Sequence, residues 1–122
     1  MTKKVLIVED DESIRDLFQL YLVRFHAEMY EASNGIEALG MLKEVSPALI
    51  ITDLSMPLMD GITLIKAVRG HIIESLRSIP ILAITGGDNA AKEAAVAAGA
   101  NSVLGKTMHN AEIRQIVGLL LK

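Results

Sequence analysis

The chain has 122 residues, of which 51% are hydrophobic, and carries a formal net charge of -3. This length suits one domain with one hydrophobic core. The slight negative charge gives no reason to expect direct binding to nucleic acid, and the absence of cysteine excludes disulfides and thiolate metal sites. No apolar run reaches the length of a membrane span, and the first one is too short for a signal peptide. We therefore expect a soluble cytoplasmic domain without membrane insertion.

Apolar runs alternate with segments of helical periodicity from the start of the chain. Residues 5–8 form a continuous apolar run, which predicts a strand buried on both faces. Apolar residues at helical spacing over 14–25 predict a first helix. Residues 27–32 alternate weakly and indicate an edge-like second strand. Residues 33–35 predict a turn and helix cap, and 36–45 predict a second helix.

In the middle of the chain, a carboxylate stands at the end of a predicted strand. Residues 48–51 predict a third, buried strand, and Asp53 stands at its end. A proline and a glycine in the next eight residues predict an irregular loop. A third helix is predicted from about residue 62 to residue 68. The boundary in residues 70–78 stays open, because their apolar residues fit either a longer helix or a packed connection.

The last part of the chain repeats the same alternation. Residues 81–84 predict a fourth strand, and an alanine-rich helix capped by Asp88 or Asn89 follows. Residues 102–104 predict a short fifth strand, and 113–121 predict the last helix. Five such units in alternation predict an α/β fold: a doubly wound, five-stranded parallel sheet with five helices on its two faces.

Chemically active side chains follow four of the predicted strands: Glu9 and Asp10, Asp53, Thr85, and Lys106. Because the carboxyl ends of parallel strands lie at one edge of the sheet, we expect these side chains to meet. Clustered carboxylates repel one another unless a cation joins them, and hard oxygen ligands suit Mg²⁺. A carboxylate in such surroundings can act as a nucleophile and form an aspartyl-phosphate.

Each of these residues also has an ordinary structural interpretation when it is taken alone. The acids at residues 9–12 fit a solvated helix start, which the helix dipole favours. Asp53 fits a turn, and Lys106 fits the protein surface. The three histidines (His26, His71 and His109) show no ligand spacing and are interpreted as structural or surface residues. The combination of all four strand ends favours the functional interpretation.

The chain resembles the receiver domain of two-component response regulators over its whole length. The motifs that carry the resemblance are Glu9-Asp10-Asp11, Asp53-x-x-Met56-Pro57-x-Met59-Asp60-Gly61, Thr85-Gly86 and Lys106. The resemblance implies a sheet of flavodoxin-like order 2-1-3-4-5 with five helices. We expect residues 1–122 to form a single receiver domain without an output domain.

The resemblance also implies a phosphorylation site at the predicted sheet edge. It makes Asp53 the phosphoacceptor, which takes its phosphoryl group from the phosphohistidine of a sensor histidine kinase or phosphotransfer protein. It makes Asp10 a direct ligand of Mg²⁺, or of Mn²⁺ as the alternative ion. Glu9 would act on this ion through water, and the backbone carbonyl of Ser55 would complete the site.

The remaining implied roles concern the response to phosphorylation. Thr85 would be the hydroxyl that turns toward the phosphoryl group, the Gly86 amide would contact that group, and Lys106 would pair with it. Because we expect no output domain after Lys122, we expect the signal to pass by binding to a downstream protein, which the sequence does not identify.

Two positions depart from the family pattern. Thr107 replaces a proline whose cis peptide bond sets the direction of the lysine, and a cis bond before any other residue costs about 2.5–4 kcal/mol. Val103 replaces an aromatic residue whose movement accompanies that of the threonine. The chemistry of phosphorylation thus matches the family, whereas the usual switch does not.

Three alternatives to a free-standing phosphorylated receiver follow. The chain could be an interaction module that no longer depends on phosphorylation, as the changes at Val103 and Thr107 would permit. It could instead be the receiver fragment of a larger regulator or hybrid kinase. A phosphatase of the haloacid dehalogenase type also uses a nucleophilic aspartate, but its second, acid–base aspartate corresponds here to Ser55. We therefore do not expect a turnover enzyme.

Overall fold

A computed structural model describes residues 2–106 and 110–121. The strands are β1 (Lys4–Val8), β2 (Glu28–Ala32), β3 (Leu49–Asp53), β4 (Ile81–Thr85) and β5 (Ser102–Gly105). The helices are α1 (Glu12–Tyr21), α2 (Gly35–Val45), α3 (Gly61–Arg69), α4 (Glu74–Arg77), α5 (Asn89–Ala98) and α6 (Asn110–Leu120), and a 3-10 helix spans Val23–Phe25. Strands and helices therefore alternate as the sequence predicts.

The five strands form one parallel sheet in the order β2-β1-β3-β4-β5. This confirms the predicted doubly wound sheet and places β2 at an edge. The helix count differs slightly, because α4 is a four-residue helix in the segment that the sequence left open. The other helices correspond to the five predicted ones.

The hydrophobic core has two halves, one on each face of the sheet. Along β1, Val5 and Ile7 pack on one side, and Leu6 and Val8 pack on the other. Apolar residues of α1 and α6 cover the first side, whereas those of α2, α3 and α5 cover the second. Helices thus cover both faces of the sheet, so polar side chains can meet a ligand at the ends of the strands.

Aspartate and asparagine side chains fix where four helices begin. Asp11, Asn34, Asp60 and Asp88 accept hydrogen bonds from backbone N–H groups in the first turns of α1, α2, α3 and α5. Such caps satisfy N–H groups that have no partner inside the helix. Asp88, rather than Asn89, is the cap of α5. Helix α3 is longer than predicted by one residue at each end.

The loop between β3 and α3 is folded tightly against the strand that it leaves. Leu58 has a φ angle of 68°, in the left-handed region, and the Met59 amide donates to the Pro57 carbonyl at 2.7 Å. Gly61 lies so close to the end of β3 that an added Cβ would be 2.3 Å from the Asp53 carbonyl oxygen. Only glycine leaves room for this approach.

No helix in the described ranges, 2–106 and 110–121, is long and apolar enough to cross a membrane.

Replacing Gly61 with alanine should destabilise the domain by about 1–3 kcal/mol, because the new methyl group meets backbone that cannot move aside cheaply. Gly40→Ala is the matched control: nothing lies within 4 Å of an added Cβ at that helical position. The control should gain about 0.5–1 kcal/mol, as alanine does over glycine in a helix. Urea unfolding measures both. Equal stabilities of the two variants would contradict the close approach at Gly61.

Candidate functional site

The carboxyl ends of the strands bring the predicted side chains to one edge of the sheet. Asp53 and Thr85 are the last residues of β3 and β4, and Glu9 and Lys106 directly follow β1 and β5. The Leu54 amide donates to the Ile84 carbonyl at 3.1 Å, which extends the pairing of β3 and β4 beyond Asp53. The backbone that carries the Asp53 side chain is therefore held firmly in the sheet.

Three carboxylates form a cluster at this edge. Oxygen atoms of Glu9, Asp10 and Asp53 all lie within 4.8 Å of one another. Glu9 and Asp53 are only 2% and 3% exposed, whereas Asp10 faces solvent. Buried carboxylates at this spacing can hold a divalent cation with their oxygens, and the donor set fits Mg²⁺.

Burial raises the pKa of Glu9 to about 8, and a hydrogen bond to Asp53 and the negative charge of Asp53 act in the same direction. The Asp11 amide, 3.3 Å from Glu9 Oε1, and the charge of Lys106 oppose the shift. Apolar side chains, including Ile14, line a cavity of about 100 Å³ that also reaches Glu9 and Lys106. These apolar walls explain why the charged form of Glu9 is disfavoured.

Lys106 pairs directly with the aspartate. Its Nζ atom is 3.0 Å from Asp53 Oδ2, and this hydrogen bond is the main reason why the pKa of Lys106 is raised. The second carboxylate oxygen, Oδ1, accepts from the Ser55 amide at 3.2 Å. The backbone amide of Lys106 donates to the Thr85 carbonyl at 2.9 Å. The lysine is therefore tied both to the carboxylate and to the neighbouring strand.

The Thr85 hydroxyl is buried and already has a partner. Thr85 is 4% exposed, and its Oγ1 atom accepts from the Gly87 amide at 2.9 Å. Gly86, between them, is exposed. The hydroxyl thus connects the end of β4 with the loop that leads into α5.

Residues 5–118 match the family described as the response regulator receiver domain. The chain belongs to this family. The receiver is 40% identical over 85 residues to the transcriptional regulatory protein SrrA of Staphylococcus aureus, an alignment that covers 70% of this chain and 33% of SrrA. The receiver therefore spans about a third of the length of this relative.

Solved structures show the same fold. The chemotaxis protein CheY4 of Vibrio cholerae is 30% identical, with a TM-score of 0.88, over 99% of this chain and 100% of CheY4. The receiver domain of a signal transduction histidine kinase from Syntrophus aciditrophicus is 29% identical, with a TM-score of 0.89, over 98% of this chain and 90% of that one. The flavodoxin-like topology and the family assignment thus agree.

The two departures from the family pattern fall in different parts of the receiver. Val103 is half-buried in β5 and packs against the core half that includes α5. Thr107, and with it the geometry of the Lys106–Thr107 peptide, lies outside the described residues, as does His109. Of the other histidines, His71 accepts a hydrogen bond from the Ile73 amide at 3.0 Å, which is a structural contact, and His26 is exposed.

Arg15 is part of the site, although the sequence did not indicate it. Its guanidinium donates to the Glu9 carbonyl at 2.6 Å and to Glu31 Oε1 at 3.2 Å. These bonds join α1 to the ends of β1 and β2 and fix the backbone of Glu9. An arginine in an amphipathic helix carries no sequence signal for these contacts, because one partner is a backbone carbonyl and the other is a glutamate 16 residues away in the chain.

The affinity of the site for Mg²⁺ should rise with pH and level off above the pKa of Glu9, about 8. Below that pKa the neutral form of Glu9 predominates, so the ion has to displace a proton. Isothermal calorimetry from about pH 6 to about pH 9 tests this expectation.

Two variants separate the contributions to this affinity. Glu9→Gln should bind more weakly than the wild type above the pKa of Glu9 and show little pH dependence, because glutamine cannot titrate. Asp10→Ala should weaken binding at every pH. Equal Mg²⁺ affinity for the wild type and Asp10→Ala would exclude this site.

Proposed function

We propose that the receiver is a phosphorylation-dependent signalling module in which Asp53 accepts a phosphoryl group. The observation that carries the proposal is the surroundings of Asp53: a buried carboxylate with an ammonium 3.0 Å from one oxygen and two further carboxylates within 4.8 Å. An ion pair with only a structural role would not need the two additional acids, because their negative charges raise the free-energy cost of burying the Asp53 carboxylate. In this proposal Asp53 is the nucleophile, and the Lys106 ammonium, together with a divalent cation on the acids, offsets the charge that Asp53 gains.

The reaction is a phosphoryl transfer from a histidine side chain. An oxygen of Asp53 forms a bond to phosphorus while the bond from phosphorus to the donor's imidazole nitrogen breaks. The electron pair of that bond stays on the imidazole, which takes up a proton. The product is an aspartyl-phosphate, and in this transfer the protein is a substrate rather than a turnover catalyst.

The acidic cluster would hold the divalent cation that such transfers use. Asp10 and Asp53 supply direct oxygen ligands, Glu9 acts on the ion through water, and the Ser55 carbonyl completes the set. When bound, Mg²⁺ neutralises negative charge on the phosphoryl oxygens. Mn²⁺ prefers the same oxygen ligands and is the alternative ion.

Lys106 and Thr85 would detect the phosphoryl group. The Lys106 ammonium, which pairs with Asp53 in the unmodified protein, is positioned to pair with phosphoryl oxygens after transfer. The Gly86 amide, exposed beside Thr85, would donate to the same group. If the Thr85 hydroxyl rotates toward the phosphoryl group, its bond with the Gly87 amide breaks, and the loop that leads into α5 is released.

Residues 1–122 form, in this proposal, one receiver domain whose output depends on protein binding. A sensor histidine kinase or a phosphotransfer protein supplies the phosphoryl group. The relatives show three settings for such a domain: the transcriptional regulator SrrA, about three times the length of the matched part, the chemotaxis protein CheY4, matched over its whole length, and a histidine kinase. The downstream protein therefore depends on the setting.

Val103 supports a second candidate, an interaction module that binds its partner without phosphorylation. A valine has no large inward and outward positions between which a switch could choose. Against this candidate stand the buried acids and Lys106, whose arrangement serves phosphoryl transfer and is costly for a mere scaffold.

Asp53→Ala should abolish phosphorylation by a small phosphodonor such as acetyl phosphate in the presence of Mg²⁺. Intact mass should show one added phosphoryl group on the wild type and none on the variant. Asp16→Ala is the matched control, because Asp16 is an exposed aspartate of α1. The control should be modified as the wild type is. Undiminished labelling of Asp53→Ala would place the phosphoacceptor elsewhere.

The change on phosphorylation should be concentrated in residues 85–88 and the start of α5, while Val103 keeps its rotamer. The Thr85–Gly87 hydrogen bond transmits the change, and Gly86, Gly87 and Asp88 are all exposed. Crystal structures with and without beryllofluoride, which mimics the phosphoryl group, measure both parts. A rotamer change at Val103 beside an unchanged loop would contradict this mechanism.

A further inference from the structure

A groove on the side of the domain bears positive charge, although the chain as a whole carries a formal charge of -3. It lies between the 3-10 helix after α1 and the first half of α6, and its volume is about 360 Å³. Its lining residues are Arg24, Phe25, Ala111, Arg114 and Gln115. Among the residues that the structure describes, two guanidinium groups and no carboxylate line this groove, so it favours an anion.

Neither arginine forms an ion pair with a carboxylate in the described part of the chain. The ion pairs found there are those of Arg15 with Glu31 and of Lys106 with Asp53. Arg114 donates to Asn110 Oδ1 at 3.3 Å, and its Nε atom is shielded from solvent without an acceptor. Because neither guanidinium is paired with a carboxylate in the described residues, a carboxylate oxygen of a ligand would gain a charge-assisted bond.

The shape of the groove indicates the kind of anion. It is open to solvent along one side, so it cannot enclose a small molecule as a ligand pocket normally does. Phe25 and Ala111 supply an apolar surface beside the guanidinium groups. Val23, next to Arg24 in the chain, is 68% exposed, and Leu20 is 70% exposed. A surface on which apolar and cationic groups lie side by side suits a peptide in which acidic and apolar side chains alternate.

We propose that this groove binds an acidic segment of a partner protein in which glutamates or aspartates alternate with apolar residues. Carboxylates of the segment pair with Arg24 and Arg114, whose planar guanidinium groups suit two-point contacts. Apolar residues of the segment cover Phe25. The groove contains none of the phosphorylation residues, so this proposal and the proposed phosphoryl transfer can fail separately.

Fluorescence anisotropy with a labelled peptide of glutamates and leucines tests the proposal. The wild type should bind this peptide, and a peptide with glutamine in place of every glutamate should not bind. Arg24→Glu should weaken binding about tenfold or more, because it reverses a contact charge. Arg24 is exposed, so this variant should fold, and a thermal melt verifies it. Arg114→Glu should have the same effect on binding.

Lys43→Glu is the matched control, since it changes the charge equally at an exposed position of α2. It should bind the peptide as the wild type does. An equal loss in this control, equal binding of the glutamine peptide or no binding of the acidic peptide would each overturn the proposal. Displacement of the peptide by low concentrations of inorganic phosphate, or equally tight binding of a DNA duplex, would assign the groove to another ligand. A dimer that Arg24→Glu dissociates would assign it to a second copy of the chain.

Discussion

The candidate site at the edge of the sheet depends on one ion pair whose carboxylate is nearly closed to water. Lys106 Nζ lies 3.0 Å from Asp53 Oδ2, and the Asp53 side chain is 2% exposed. One ammonium faces three carboxylates there, so positive charge is in deficit. Burial is the main cause of the raised pKa of Glu9, and the negative charge of the neighbouring Asp53 acts in the same direction. The same deficit is what would attract a divalent ion and make the site responsive to added phosphoryl charge.

The sequence predicted the sheet and the approach of the site residues because both follow from local patterns. Continuous apolar runs can be buried only in a sheet covered on both faces, which fixes the parallel arrangement and therefore the common edge. The sequence also predicted a cap within residues 33–35 and one at Asp88 or Asn89, since such residues favour helix starts. The roles of Asp53, Thr85 and Lys106 stay predictions, because proximity does not establish chemistry.

The contacts that the sequence could not reveal are made by long side chains to distant backbone. Arg69, at the end of α3, donates to the Gly99 carbonyl at 2.9 Å and to the Arg77 and Ile79 carbonyls at 2.7 Å each. It also donates to Asn101 Oδ1 at 2.8 Å. One guanidinium therefore fastens three segments at the edge opposite the site. No periodicity predicts such bonds, because a backbone carbonyl has no residue-specific signature.

Because Arg69 bonds to the residue that follows α5, the end of this helix is held more firmly than its start. Gly99, directly after α5, accepts one of its bonds, and the first buried side chain of the helix is Ala95. No side chain in the preceding turns is buried, and burial contributes about 25 cal/mol per Å² of apolar surface. Moving the start of α5 thus costs less than moving its end. A disturbance at Thr85 reaches Gly87 through one hydrogen bond and meets the weakly held end first. Coupling through backbone in this way requires no aromatic residue at position 103, so the valine there and a working switch are physically compatible.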